Sequence, residues 1–395
     1  MARAEVAPRL PAVLWPLMFG NVVIGMGVMV VAGVLNEIRD SLLVSISTAG
    51  QLISASALLV CLGAPLLAML VGRWDRRRLL VGSLVWCAFF HALAALATGF
   101  DQLLAARVLA MLSAAVFTPQ AAACIGLLVP AQQRGRAITF VFLGWSVASV
   151  LGTPLGAWIG GTFGWRWTMG LMAVLSVIAA VWLQLRMPAK VVPPPLSASA
   201  WRQTLLSPTL MLTLSITVVS AAGQFIFFSY MAPYVAERFG QGATALSSLL
   251  LVYGLCGFVG NAAVSRWIDR MGPARAMGWA LGGIATGMGL VSLTGSFSAM
   301  VLAIVPWGLG VFASNSSQQA RLLQLSPVLA PASIALNTSA MYAGQAIGAS
   351  SGGWLILHQG LGSLPLAGSA VLVFALGLSL WASRQARRHP VAVRP

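Results

Sequence analysis

Two side chains able to hold or move charge fall inside long apolar stretches of this chain: His91, within 79–98, and Arg107, within 103–128. A histidine gains and loses a proton near neutral pH. An arginine keeps its charge, so it can hold an anion or a carboxylate but does not itself titrate. The seven acids are Glu5, Glu37, Asp40, Asp75, Asp101, Glu237 and Asp269, and each falls in a loop or at a helix end. Glu37, at the end of the first apolar stretch, and Asp101, shortly before Arg107, stand nearest to the hydrocarbon. His91, Arg107, Glu37 and Asp101 are therefore the candidates for coupling to protons, because an ionisable group inside a membrane marks a functional path by default. Neutral polar residues near the middles of the apolar stretches are the candidates for a substrate site: Asn21, Ser54, Gln120, Ser146, Gln224, Tyr253, Tyr342 and Gln345, joined by Arg107. Trp145 and Trp307 offer flat apolar walls. Amides, hydroxyls and indoles suit a neutral or amphipathic small molecule such as a sugar or a drug, and do not suit a polyanion. Each of these residues has a plainer alternative use, a hydrogen bond between helices.

The elements that must hold these residues follow from composition. The chain has 395 residues, of which 59% are apolar and 8% charged, whereas a water-soluble domain carries about 25% charged residues. Disorder requires the opposite balance. Outer-membrane barrels alternate apolar and polar residues, and here the apolar runs are continuous. Crossing the hydrocarbon takes about 20 apolar residues in a helix, and twelve segments qualify: 12–35, 48–71, 79–98, 103–128, 137–160, 167–186, 209–235, 244–265, 276–294, 298–319, 333–357 and 363–383. The first is too long for the core of a signal peptide. The stretch 187–208, with Pro193, Pro194, Pro195, Ser197 and Ser199, reads as a linker, dividing the chain into 1–186, 187–208 and 209–395. The expected fold is an all-α polytopic membrane protein of twelve transmembrane helices in two pseudo-symmetric six-helix bundles. The cysteines Cys61, Cys87, Cys124 and Cys256 lie in apolar runs at spacings that fit no zinc site, so no metal and no cofactor is expected. Without a cluster of His, Asp and Glu inside the spans, an enzyme is not expected either.

Charge placement sets the expected sidedness. Of the 23 basic residues, 19 fall in segments on the N-terminal side, Arg321 among them. Arg39, Arg166 and Arg238 fall on the other side, and Arg107 within a span. Such asymmetry predicts both termini in the cytoplasm. It also explains the net charge of +16 without nucleic acid. The halves echo each other: Gly152-Thr-Pro-Leu-Gly156-Ala-Trp158 matches Gly348-Ala-Ser-Ser-Gly352-Gly-Trp354, and Arg73-Trp-Asp75-Arg76 resembles Arg266-Trp-Ile-Asp269-Arg270. Parallel repeats around a midplane site are a transporter design. The glycines at spacings of four, Gly144, Gly152, Gly156 and Gly160 with Gly344, Gly348 and Gly352, predict a rocking seam between the halves, bent at Pro154. Asp75 with Arg76 and Arg77, and Asp269 with Arg270, are expected to form latches across that interface.

On these segments the chain resembles the major facilitator superfamily, specifically the twelve-span drug:proton antiporter group with its arabinose-efflux-like and sugar-efflux members. The carrying residues are Gly33-Val-Leu-Asn-Glu-Ile, Ala49-Gly-Gln-Leu, Gly63-Ala-Pro-Leu, Asp75-Arg-Arg-Arg-Leu-Leu, Gly152-Thr-Pro-Leu-Gly156, Gly164-Trp-Arg-Trp and Ser229-Tyr-Met-Ala-Pro-Tyr. The resemblance implies that the loop after the second span is a cytoplasmic gating motif. It makes Gly152–Gly156 the antiporter motif of the fifth span, and gives Arg107 the place of a fourth-span arginine linked to proton coupling. Two departures stand out. The first-half loop reads Gly72-Arg-Trp-Asp-Arg-Arg, with its aspartate displaced, whereas Asp269-Arg-Met-Gly272 keeps the family order. The first span, Gly25-Met-Gly-Val-Met-Val, lacks the acid that many drug antiporters carry there. The expected protein is a monomeric exporter of the bacterial inner membrane, moving a small molecule in exchange for protons. Proton-linked uptake of a nutrient is the first alternative, and a non-transporting membrane sensor the second.

Overall fold

The computed structural model describes residues 11–130, 133–192 and 198–388. Arg3, Glu5, Arg9 and Arg394, and the Pro193–Pro195 run with Ser197, lie outside them. Helix is the only regular structure among the described residues. In chain order the helices are α1 (Leu14–Gly33), α2 (Leu35–Leu42), α3 (Ile46–Leu70), α4 (Arg76–Leu96), α5 (Phe100–Ala110), α6 (Leu112–Leu128), α7 (Arg134–Val147), α8 (Thr153–Phe163), α9 (Trp165–Arg186), α10 (Ala198–Leu206), α11 (Pro208–Phe228), α12 (Met231–Phe239), α13 (Ala243–Met271), α14 (Pro273–Ser292), α15 (Phe297–Leu325), α16 (Ala330–Gln359) and α17 (Leu364–Arg388). Among the described residues, ten helical stretches are long and apolar enough to cross a membrane. The expected segments at 276–294 and 333–357 are helical too, as α14 and α16. They fall short only in apolarity, α14 chiefly through Arg275 and α16 through Ser333, Asn337, Thr338, Ser339 and Gln345. The linker contains a short helix, α10, that the proline-rich sequence did not suggest.

The outward surface is apolar: Leu66, Met69, Leu185, Trp279, Leu302 and Phe374 are all exposed. In lipid this costs nothing, while every backbone N–H and C=O must bond inside the chain, which only helices and closed barrels achieve. Ser45, Ser207 and Ser296 cap helix starts with their hydroxyls, supplying acceptors for amides that have no helical partner. Tight turns between helices fall on Gly164 and Gly272, whose φ of 99° and 82° suits glycine.

The glycine ladders do not form the expected seam between halves. Side chains added at Gly152, Gly156 and Gly160 would strike Met26, Val30 and Val34, all on or beside α1. Additions at Gly344, Gly348 and Gly352 would strike the α11 backbone at Val218, Ala222 and Ile226. The ladders are thus close-packing faces within each set of helices, where a missing Cβ lets backbones approach. The sequence showed the stripe but not the direction it faces. Contact between the sets runs instead along α3 with α16 and along α8 with α13. There Gly254 abuts the Ser149 carbonyl, Gly50 abuts Tyr230, Gly161 abuts Ala243, and Gly353 abuts Ser47. Three of these four contacts gather at the end formed by the connectors near residues 34–45, 164 and 240–242.

Beside Pro154 the fifth apolar stretch departs from regular α geometry. A proline cannot donate its amide to the preceding turn. The helix widens into a π turn at Ala148–Gly152, where both the amide and the hydroxyl of Thr153 reach the Ala148 carbonyl. A substitution pair tests the packing assignment. Gly348→Val drives a branched side chain into the α11 backbone and should cost about 1–3 kcal/mol, lowering the thermal midpoint of the purified protein. Gly282→Ala, with nothing within 4 Å of its added Cβ, should leave the midpoint unchanged. Equal midpoints would contradict the assignment.

Candidate functional site

Arg107 is 2% exposed, its guanidinium enclosed by three helices. α5 carries it, α4 presents His91, and α1 presents two carbonyls. Nη1 lies 3.3 Å from His91 Nε2, and Nη2 donates to the carbonyls of Gly27 and Val28. On the far side of the imidazole, Nδ1 lies 2.9 Å from the Cys87 carbonyl and 3.4 Å from Cys87 Sγ. The bonds assign the tautomer: Nδ1–H donates to the Cys87 carbonyl, and Nε2 accepts from Arg107. Cys87 and His91 stand one turn apart on the same face of α4. A Cβ on Gly27 would lie 3.6 Å from the imidazole, an ordinary contact. Arg107 Nε has no partner. Tyr342, from α16 in the other set of helices, is buried within Coulombic range of the guanidinium. A proton arriving on Nε2 would occupy the atom that now accepts from Arg107 and place two cations side by side.

A second cluster lies among the later helices. Trp307 is fully buried, its ring 5.2 Å from that of Tyr253 and 5.7 Å from that of Phe227. Its indole N–H points to Gln224 Oε1 at 3.4 Å, and the Gln224 amide donates to the Ser220 carbonyl. Trp307 is thus a packing centre rather than an open wall, with Gln224 half-buried at its rim.

The remaining expected site residues divide. Asn21 donates to the Val141 carbonyl at 3.1 Å and accepts from Thr118 at 2.7 Å, so it clamps three helices together. Gln120, Ser146 and Gln345 are buried, and Ser54 and Trp145 half-buried, Trp145 lying against Gly25. Asp101 is exposed in the first turn of α5 and does not join Arg107. Among the described residues, the ion pair is Arg39 with Asp40 at 2.6 Å.

The expected latch residues require correction. Asp75 reaches no part of the later helices; its carboxylate accepts from the Val191 amide at 3.0 Å. Arg76 is buried, and its guanidinium closes the end of α3 by donating to the carbonyls of Val71, Gly72 and Trp74. Helix ends leave such carbonyls without partners, and a nearby arginine satisfies them. Arg77 bonds to Gln184. Asp269 and Arg270 are exposed and form no ion pair among the described residues.

Arg321 also differs from expectation. It is 4% exposed inside α15 and donates to Ser379 and Ser383 of α17, so it is a bolt between helices rather than a loop charge. α15 runs on to Leu325, beyond the expected end at 319. One turn before Arg321, Gln318 donates to Thr217, which donates to Asn337, which in turn donates to Asn315. The spacing of Asn315, Gln318 and Arg321 on one helix face was the available signal for this network.

Near the 34–45 connector, a cavity of about 220 Å³ is lined by Glu37, Ser41, Phe163, Gly164, Trp165, Arg166 and Trp167. Burial raises the Glu37 carboxyl above the ordinary glutamate value, because removal from water disfavours the charged form.

The family model for the Major Facilitator Superfamily matches residues 17–328 and 213–395. A chloramphenicol resistance protein of Streptomyces lividans is 33% identical over 284 residues, covering 68% of this chain and 72% of its own. A probable sugar efflux transporter of Mannheimia succiniciproducens is 28% identical over 344 residues, 85% of either chain. Among solved structures, a bacterial homolog of the human lysosomal transporter Spinster, in an inward-facing and unoccupied conformation, superposes with a TM-score of 0.77. It has 18% identity and covers 97% of this chain and 98% of that one. That likeness is one of fold.

Two substitutions probe the buried cluster. Arg107→Met removes the charge and fills the space, and replacing a buried ion by an apolar side chain is often neutral, so its thermal midpoint should stay near the parent's. His91→Ala leaves the charge in place without its acceptor and should cost about 1–3 kcal/mol. The reverse order of midpoints would contradict the geometry.

Proposed function

The chain belongs to the Major Facilitator Superfamily, and on that premise we propose that it is a secondary active exporter of a small neutral or amphipathic molecule, driven by inward proton movement. The reading has twelve spans in two six-helix bundles, 1–186 and 209–395, joined by 187–208. The bundles rock about a mid-depth site that opens to one face of the bacterial inner membrane at a time. Both termini lie in the cytoplasm and the 34–45 end faces outward.

The observation that carries this reading is the buried Arg107–His91 pair, with Tyr342 of the other bundle in the apolar core that also holds Cys87 and Val28. A buried cation whose acceptor is itself a titratable ring ties proton occupancy to the position of a charged side chain, at a level both bundles reach. Close contact between the bundles gathers toward the outer end, while Asp269 and Arg270 stand exposed. This pattern supports a conformation closed outside, with the second-half latch engaging only after the bundles rock. In it, Gln224, Gln120, Ser54, Ser146, Gln345 and Trp145 form the neutral lining available to substrate. The relatives named for chloramphenicol resistance and sugar efflux support an uncharged, hydroxyl-bearing substrate and the export direction.

Inverted vesicles carrying the purified chain, with an imposed proton gradient, test the function. Accumulation of chloramphenicol or a sugar against its gradient, with proton movement in the opposite sense, is the expected result. Uptake in the same direction as protons would establish the symport alternative, and binding without flux would indicate a sensor. Arg107→Met is expected to lose transport while remaining folded. Asp269→Asn should slow transport severalfold; an unchanged rate would remove the latch from the mechanism.

A further inference from the structure

Two acids among the described residues, Glu37 and Asp75, are drawn partly into the fold, and they are treated differently. The Asp75 carboxylate has the Val191 amide as its partner. Glu37 Oε2 is shut off from solvent with no hydrogen-bond partner. Its other oxygen, Oε1, lies where the bundles meet, 3.3 Å from the position a Cβ on Gly161 would take, at the point where Gly161 abuts Ala243 of α13. The same carboxyl lines the cavity with Ser41, Trp165 and Arg166.

The neighbouring charges do not neutralise it. On α2, Arg39 is held by Asp40 at 2.6 Å; its charge and a backbone hydrogen bond favour an ionised Glu37, Asp40 opposes it more strongly than Arg39 favours it, and burial outweighs each of them. At the start of α9, Arg166 donates to the Ala97 carbonyl and to Ser41, and stacks on Trp165. On α12, which packs against α2, Glu237 and Arg238 are both exposed. α8 and the first turns of α3 and α13 carry no titratable side chain. An ionised carboxylate with one oxygen enclosed and unpaired is costly, and a protonated one is not.

We propose that Glu37 is a proton-binding residue of the outer seam, taking its proton through the adjoining cavity as the two bundles close over it and releasing it when they part. The inference rests on the alternating-access reading and adds to it the residue through which outer pH acts on closure. Burial raises the proton affinity of the closed form, while in the open form water restores the ordinary value. Low pH therefore favours the closed seam, and raising pH through the elevated value favours opening.

The test uses Ser47→Cys, placed at the α3–α16 contact, in a full-length protein whose four native cysteines have been replaced. Its reaction with a membrane-impermeant maleimide in liposomes is normalised to that of Leu43→Cys, whose position is 92% exposed. Normalised labelling should rise with external pH, by up to about tenfold per unit for a single proton. Glu37→Gln should hold labelling low at every pH, and Glu37→Asp should restore the response. A pH response that survives Glu37→Gln would overturn the proposal while leaving alternating access intact. Labelling that is flat with pH in the parent overturns it as well, and the flux measurement in vesicles then tells separately whether the transport reading stands.

Discussion

A guanidinium enclosed by hydrocarbon must find its hydrogen-bond partners within the protein, and much of this structure is arranged around that demand. Arg107 meets it with the backbone of α1 and the imidazole of α4. Two carbonyls that already serve α1 accept again, and the third partner is a ring whose lone pair a proton can take. An apolar side chain would pack as well in that space, so the cost of enclosing the charge points to a use for it beyond folding.

The same constraint appears at smaller scale throughout. Arg76 and Arg321 look alike in sequence to charges that set orientation, yet both are enclosed and spent on structure, one closing a helix end and the other fastening α15 to α17. Thr153 reaches the carbonyl that the π turn loosens, and Asn21 joins three helices with two bonds. Polar groups inside the bundle are largely paired off in this way. Among the described residues, Glu37 is the carboxylate left with an enclosed, unpaired oxygen.

The all-helical, membrane-spanning character was legible in the sequence because apolarity over about 20 residues is a sum, and sums survive local irregularity. The buried positions of His91, Arg107, Trp307 and Tyr342 followed from the same segments. Direction was not legible. The glycine ladders announce close packing, but only assembled neighbours reveal that they face α1 and α11 rather than the opposite bundle. Asp75 and Asp269 occupy matching places in the repeat, yet one finds a linker amide and the other faces solvent, a difference that depends on chain distant from both. The Gln318 network left a signal in the spacing of Asn315, Gln318 and Arg321, but α15 runs past the stretch that was expected to end at 319, which set Arg321 among the loop charges.

Distances across the two ends of the molecule test the central claim most directly. Spin-label pairs at Ser41→Cys with Gln241→Cys, and at Arg78→Cys with Arg270→Cys, report the two ends in a chain cleared of native cysteines. Alternating access driven by protons predicts that lowering the pH shortens the first distance and lengthens the second within the same population. Distances that stay fixed, or that change together in the same direction, would contradict it.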